Sequence, residues 1–334
     1  MVRTFQPNLR LIEFVEGVWS PEDIVELPGT PWIVVSGMRS ARHPGRLFIV
    51  NGAHRTRARE LRWEAAAEGA RLGAETFDPH GIASRRLEDG RFELLVVDHG
   101  GGEAIDRLVL EIGTEGPVIV DGVRVVQPPG TSANAVAHLP DGGFVMTSMF
   151  DPTDPDFVRK FANAEKTGQV WRWSPSDGWS RFGDLQISGA NGIAVSPDGL
   201  SVIVCEWAAR RVWRLDADGN PLGSTETDFL PDNLRWMTGG RLLLAGQSSR
   251  PENVFGCEAR GERCPLAFKV VRIDPTSLEI EPLIAVDDAQ AAEQGFGGAT
   301  GALEVGRNLW VGSFTGERLG VFGPDGESAK HRHL

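Results

Sequence analysis

The chain has 334 residues, with 34 Lys and Arg against 46 Asp and Glu, for a formal charge of -12. No basic block is long enough to follow a phosphate backbone, and no apolar run approaches the roughly 18 residues that a membrane helix needs, so nucleic acid and a membrane anchor are not expected and a cytoplasmic location is. Closed all-β folds of this size often form one unit, and a single domain over residues 1–334 is expected, its oligomeric state left open.

Read from the start of the chain, short runs rich in Val, Leu, Ile and Trp alternate with turn residues, among them most of the 41 Gly and 21 Pro. The runs expected to be strands are Pro31 to Ser36, Leu47 to Val50, Phe92 to Val97, Arg107 to Ile112, Gly143 to Thr147 and Val170 to Trp173. They continue with Ser201 to Cys205, Arg211 to Leu215, Arg241 to Ala245, Lys269 to Ile273, Asn308 to Gly312 and Gly320 to Phe322. They come in pairs, and no long amphipathic helix interrupts them. Cys205 lies in one such strand. Cys257 and Cys264 bracket a polar stretch and are read either as a loop disulfide or as free thiols.

A looser repeat precedes the pairs: Glu22-Asp-Ile, His80-Gly-Ile, Asn134-Ala-Val, Asn191-Gly-Ile, Asp232-Asn-Leu and Thr300-Gly-Ala. Each places polar residues at the entry to an apolar strand. Six copies, spaced about 40 to 70 residues apart, predict a six-bladed β-propeller, because a four-stranded blade cannot bury both faces alone. In a propeller the inner strands begin around the central channel, so equivalent positions converge although far apart in sequence. The residues that converge are Glu22, Asn134, Asn191, Asp232 and Asn233. Their donors are all oxygens, which suits a hard cation and disfavours zinc or copper. Calcium fits best: two carboxylates balance a divalent charge, and five ligands leave a position for water or a substrate oxygen. A single Asn-Gly or Asp-Asn pair is an ordinary turn; the recurrence of oxygen donors just before the inner strand points to ligands.

Ser20-Pro-Glu-Asp-Ile24, Phe77-Asp-Pro-His-Gly-Ile82, Leu94-Leu-Val-Val-Asp-His99, Ser132-Ala-Asn134, Asn191-Gly-Ile193 and Pro231-Asp-Asn233 resemble, in the same order, the serum paraoxonase/arylesterase family. The likeness runs from about Gly17 to Phe322. Its two His-bearing segments separate it from the wider gluconolactonase and senescence-marker-protein relatives. The resemblance implies calcium-dependent hydrolysis of lactones and aryl esters, with Glu22, Asn134, Asn191, Asp232 and Asn233 around the catalytic ion. His80 would be the general base and His99 its partner, with the ligand Asp232 or Glu22 as the alternative base. It also implies a second, structural calcium held by Asp23 and the backbone of Ile82; the third family ligand is here Ala135, which leaves that ion short of a carboxylate.

Met38, Met149, Phe150, Trp207, Gln247 and Phe314 fall near the ends of inner strands and are expected to wall the substrate pocket. His43, His54, His138, His331 and His333 read as surface or turn residues. Two other functions fit the same pattern. One is a sugar-lactone hydrolase of the gluconolactonase type. The other is a non-catalytic propeller that binds a protein and is braced by its ion.

Overall fold

The computed structural model describes residues 9–54, 57–64, 76–260 and 265–324. Strand β1 (Arg10–Glu16) stands apart from the blade that follows it, which comprises β2 (Pro21–Glu26), β3 (Trp32–Gly37), β4 (Arg46–Asn51) and the two-residue β5 (Arg59–Glu60). Blade 2 is β6 (Pro79–Arg86), β7 (Phe92–Asp98), β8 (Ala104–Gly113) and β9 (Gly116–Val126). In blade 3, β10 (Ser132–His138) and β11 (Phe144–Phe150) are followed by α1 (Phe157–Ala162), β12 (Gly168–Ser174) and β13 (Gly178–Ile187). Blade 4 is β14 (Ala190–Val195), β15 (Ser201–Glu206), β16 (Arg211–Asp216) and β17 (Pro221–Glu226). Blade 5 holds β18 (Leu230–Trp236), β19 (Leu242–Gln247), α2 (Pro251–Arg260), β20 (Phe268–Ile273) and β21 (Ile280–Val286), and α3 (Asp288–Gln294) leads out of it. Blade 6 takes β22 (Ala299–Val305), β23 (Asn308–Ser313) and β24 (Arg318–Gly323), and β1 completes it as the outer strand by pairing antiparallel with β24.

These are six four-stranded antiparallel sheets. Their inner strands β2, β6, β10, β14, β18 and β22 contact one another in turn, with β22 against β2 closing the ring, so the fold is an all-β six-bladed propeller. Blades stack face to face. Val25, Val34 and Ile49 of the first pack on Leu94, Val96 and Leu108 of the second. A second strand is therefore buried on both faces, as in β7, where every residue of FELLVVD is buried, and such strands read as continuous apolar runs rather than alternating ones.

Every segment expected to be a strand is the second or third strand of a blade. The outer strands were not anticipated, because they are half-exposed and polar; β17 (PLGSTE) has no buried residue. Nor were the three short helices among the described residues, although α3 carries a capping box, Asp287 accepting from Gln290 N while the Gln290 side chain accepts from Asp287 N. Among the described residues no helix is long and apolar enough to cross a membrane. Cys257, buried on α2, is disulfide-bonded, and Cys264 lies outside the described residues; Cys205 is free and buried.

Candidate active site

All six inner strands break register with their neighbour near their first residues: between Pro21 and Asp23, Pro79 and Ile82, Ala133 and Val136, Ala190 and Ile193, Pro231 and Leu234, and Ala299 and Ala302. Glu22, His80, Asn134, Asn191, Asp232, Asn233 and Thr300 all fall inside these irregularities. A bulge re-aims side chains that a regular ladder would send alternately into the blade faces. It also explains the glycine after the polar residue. A Cβ on Gly81 would lie 2.7 Å from Ala135 Cα, and one on Gly192 would lie 2.9 Å from Asn233 Cα, so adjacent inner strands approach this closely only with glycine there.

The expected ligands, carried by four blades, are brought together with His80 of a fifth. Asn233 Nδ2 donates to Glu22 Oε1 at 2.7 Å, and His80 Nε2 stands 3.5 Å from the same oxygen. Asn134 Nδ2 lies 3.2 Å from His80 Nε2. The sixth blade braces the ring, with Thr300 Oγ1 donating to Glu22 O at 2.6 Å. Each of the five side chains keeps a buried oxygen that accepts nothing: Glu22 Oε2, Asn134 Oδ1, Asn191 Oδ1, Asp232 Oδ1 and Asn233 Oδ1. Buried polar atoms without partners are rare in folded proteins, and five in one cluster of oxygens ask for a cation. Among the described residues no three His, Cys, Asp or Glu side chains group as metal ligands; this set has only two carboxylates and relies on amides for the rest. Burial, then Asp23 and Asp232, hold the Glu22 carboxyl well above the usual carboxylate range, and burial lifts Asp232 to about 7. A positive charge between them would return both to the ionised form.

Beside this cluster the two histidines form a chain that ends on an acid which the sequence reading missed. His80 Nδ1 lies 3.3 Å from His99 Nε2 with the rings edge to face, and His99 Nδ1 lies 2.8 Å from Glu103 Oε2. An amide nitrogen can only donate, so His80 Nε2 accepts from Asn134. That puts the His80 proton on Nδ1, directed at His99, whose own proton sits on Nδ1, directed at Glu103. Burial, then the neighbouring His99, lower the His80 pKa well below the ordinary imidazole value. Burial opposes protonation of His99 too, but Glu103, helped by Asp78 and Asp98, outweighs it and the net shift is upward. Asp98 Oδ1 accepts from Asp78 N and Gly100 N, both at 2.8 Å, and so ties together the segments that carry His80 and His99; Arg124 secures its other oxygen at 2.6 Å. An acid four residues beyond a histidine, in the glycine-rich turn Gly100-Gly-Gly-Glu103, was the available signal.

The expected wall residues divide. Met149 Sδ is 3.8 Å from Asn134 Nδ2, and Phe150 stacks on Phe157 of α1 with centroids 4.4 Å apart. Phe157 meets Phe255 of α2, so the two helices share an aromatic cluster, against which Phe314 packs. Met38 is half-buried beside Ser20, to whose carbonyl its N–H donates. Trp207 and Gln247 are fully buried behind the site: Gln247 Nε2 donates to Asp232 Oδ2 at 2.7 Å and Gln247 Oε1 accepts from Trp207 Nε1 at 3.0 Å. They orient a candidate ligand rather than line open space.

His138, expected at the surface, is a correction. It lies on the inner strand β10 with its side chain 12% exposed, and burial, then Arg85, push its pKa down to about 3. His43 stacks on Trp19 and His54 lies in a turn, while His331 and His333 are outside the described residues. Asp23 and the Ile82 carbonyl, expected around a second ion, are both bonded to the guanidinium of Arg235.

Residues 143–219 match the strictosidine synthase family. Over 246 residues, 68% of this chain, the sequence is 25% identical to human serum paraoxonase/arylesterase 1; the matched stretch spans 65% of that protein's length. In fold the chain is similar to a luciferin-regenerating enzyme (TM-score 0.57, 12% identity, 94% of this chain and 96% of that one) and to a gluconolactonase from Xanthomonas campestris (0.55, 16%, 94% and 89%). A streptogramin B lyase shares the fold at TM-score 0.50 and 10% identity, over 93% of this chain and 97% of its own. What the matches in fold support is the propeller architecture, and because a lyase shares it, the reaction must be argued from the site.

Proposed function

We propose that this protein is a calcium-dependent hydrolase of lactones, with aryl esters as secondary substrates. The observation that carries the reading is the set of five unpartnered buried oxygens, on Glu22, Asn134, Asn191, Asp232 and Asn233, next to a His80–His99–Glu103 chain. Calcium held by these oxygens, with a coordination position left for substrate, would polarise a lactone carbonyl. His80, kept neutral by burial, gives up the hydrogen bond from Asn134 and accepts the proton of an attacking water at Nε2 while its Nδ1 proton stays hydrogen-bonded to His99; that proton passes to the ring oxygen as the ester C–O bond breaks. Glu103 fixes the tautomer of His99 and balances the positive charge as it develops along the chain. Gln247 holds Asp232 in place, and Asp98 fixes the spacing of the histidines.

The similarity to paraoxonase/arylesterase 1 in sequence and to a gluconolactonase in fold supports hydrolysis of a small cyclic ester. Met149 and the aromatic cluster of Phe150, Phe157 and Phe255 favour an alkyl lactone over a polyhydroxylated one, whose hydroxyls would lack partners there. The test is a panel of γ- and δ-lactones with graded side chains, with gluconolactone alongside, assayed with and without chelator. We expect hydrolysis to vanish in chelator, to return with calcium more fully than with zinc, and to favour longer alkyl chains. Full activity in excess chelator sinks the cation-dependent mechanism, and preference for gluconolactone transfers the reading to sugar lactones.

A further inference from the structure

Further along the inner strands from the candidate ligands lies a second group of buried acceptors. Asp23 is completely buried; its Oδ1 accepts from Ile24 N and its Oδ2 from Ile82 N, both at 2.8 Å. The Arg235 guanidinium closes this group. Nη2 donates both to Asp23 Oδ2 and to Ile82 O, the latter at 2.7 Å, while Nε donates to Ile24 O at 3.0 Å and Nη1 to Leu234 O at 2.7 Å. The Arg235 side chain is only 12% exposed. Asp23 and Ile82 O are the acceptors that the sequence resemblance assigns to a second calcium, and the third such position, Ala135, offers no donor. With the guanidinium bonded to Asp23, Ile82 O and Ile24 O, these acceptors are taken, so the residues present do not fit a second ion while Arg235 is in place. Charge points the same way. Glu22, Asp23 and Asp232 are three buried carboxylates, and among the described residues Arg235 is the one cationic side chain hydrogen-bonded to any of them, which leaves Glu22 and Asp232 without a counter-charge.

We propose that the Arg235 guanidinium is the second cation of the channel, neutralising Asp23 in place of a metal ion and limiting the axis to one divalent ion between Glu22 and Asp232. This rests on reading the five unpartnered oxygens as a cation site. Guanidinium suits the task because it stays charged at any working pH and its fork of donors matches a carboxylate and three carbonyls at once.

The experiment is calcium stoichiometry and thermal melting on the full chain, for the wild type, Arg235→Ala, Arg235→Lys and the Asp23→Asn, Arg235→Ala double variant. Wild type and Arg235→Lys should bind one calcium. Arg235→Ala should bind a second, weaker one and melt lower than wild type in low calcium. Its Tm should keep rising with calcium after the wild type has levelled off, and the double variant should lose the added site. Two ions in the wild type overturn the proposal, as does an Arg235→Ala variant that titrates and melts like wild type. Should Arg235→Ala fail to fold, the wild-type and Arg235→Lys counts decide: one supports it, two overturn it. No ion in wild type but one in Arg235→Ala would reject the Glu22–Asp232 site while upholding the role of Arg235; none in either rejects both.

Discussion

The two ends of the inner strands bury charge in opposite ways. At one end Glu22 and Asp232 keep oxygens that accept nothing. Toward the other, Glu93 is also buried and its Oε2 likewise accepts no hydrogen bond, yet Arg85 and Arg107 each stand 2.6 Å from the carboxylate, His138 lies 3.5 Å away, and Arg107 also stacks over Trp173. A cavity of about 300 Å³ opens at that end, lined by the far halves of all six inner strands, among them Arg85, His138 and Glu304. Burial of a carboxylate is common to both ends, so burial does not mark the site. What separates them is whether the protein supplies its own counter-charge: Glu93 has two guanidiniums, and the Glu22–Asp232 pair has none.

That contrast can be broken from either side. The largest effect is expected at the first end, where His80→Gln keeps a hydrogen-bonding group but removes the base: turnover should fall by ~10² to 10⁴ with calcium affinity and Tm retained. A loss below about tenfold, measured at saturating substrate, would move the base role to a carboxylate. At the opposite end Arg107→Ala takes one guanidinium from Glu93. Because Arg107 is partly exposed and Arg85 remains, the expected destabilisation is ~1–3 kcal/mol, seen as a lowered Tm, with calcium binding and kcat unchanged at permissive temperature. Lost calcium affinity in that variant would show that the two ends are coupled and the contrast false.

The last test sharpens the same line and comes from His138. Its folded-state pKa of about 3 lies below the usual imidazole value, so between roughly pH 6.5 and 3 the unfolded chain takes up a proton that the folded chain refuses. Stability from this group is complete above about pH 6.5 and is lost as pH falls, by up to ~1.4 kcal/mol per unit. Tm measured from pH 7 to 4 should decline less steeply in His138→Leu than in wild type. Parallel curves would mean that His138 is not held neutral by the fold.

Much of this architecture was legible because burial leaves a compositional mark. Second and third strands, covered on both faces, read as apolar runs, and the six polar entries to inner strands kept their phase, which led to Glu22, Asn134, Asn191, Asp232 and Asn233. The structure brings those residues together, as it does His80 and His99. Where a residue's neighbours come from distant strands, the sequence was silent. Arg235 follows a ligand motif inside an apolar strand, and nothing local says that its guanidinium meets Asp23, 212 residues away. Gln247 reads as a strand end until Asp232 and Trp207 are seen on either side of it. His138 looks like the polar start of a turn because the arginines around it belong to other strands. Outer strands such as β17 escaped for the reverse reason: exposed on most of their surface, they have no pattern to show.

The closing blade draws one strand from the start of the described chain and three from its end, with Arg10 opposite Gly323 and Glu16 opposite Arg318. The propeller is therefore a loop of chain clasped like a belt. Glu22 and Asn233, 211 residues apart, are hydrogen-bonded neighbours only once the clasp is shut. No run of consecutive blades shorter than the span from the first to the fifth carries the whole oxygen set, so a chain cut short before the fifth blade holds only part of it. A circular permutant cut in an exposed turn between blades and rejoined at the clasp would keep every neighbour. The site is thus indifferent to where the chain begins and wholly dependent on the circle being complete.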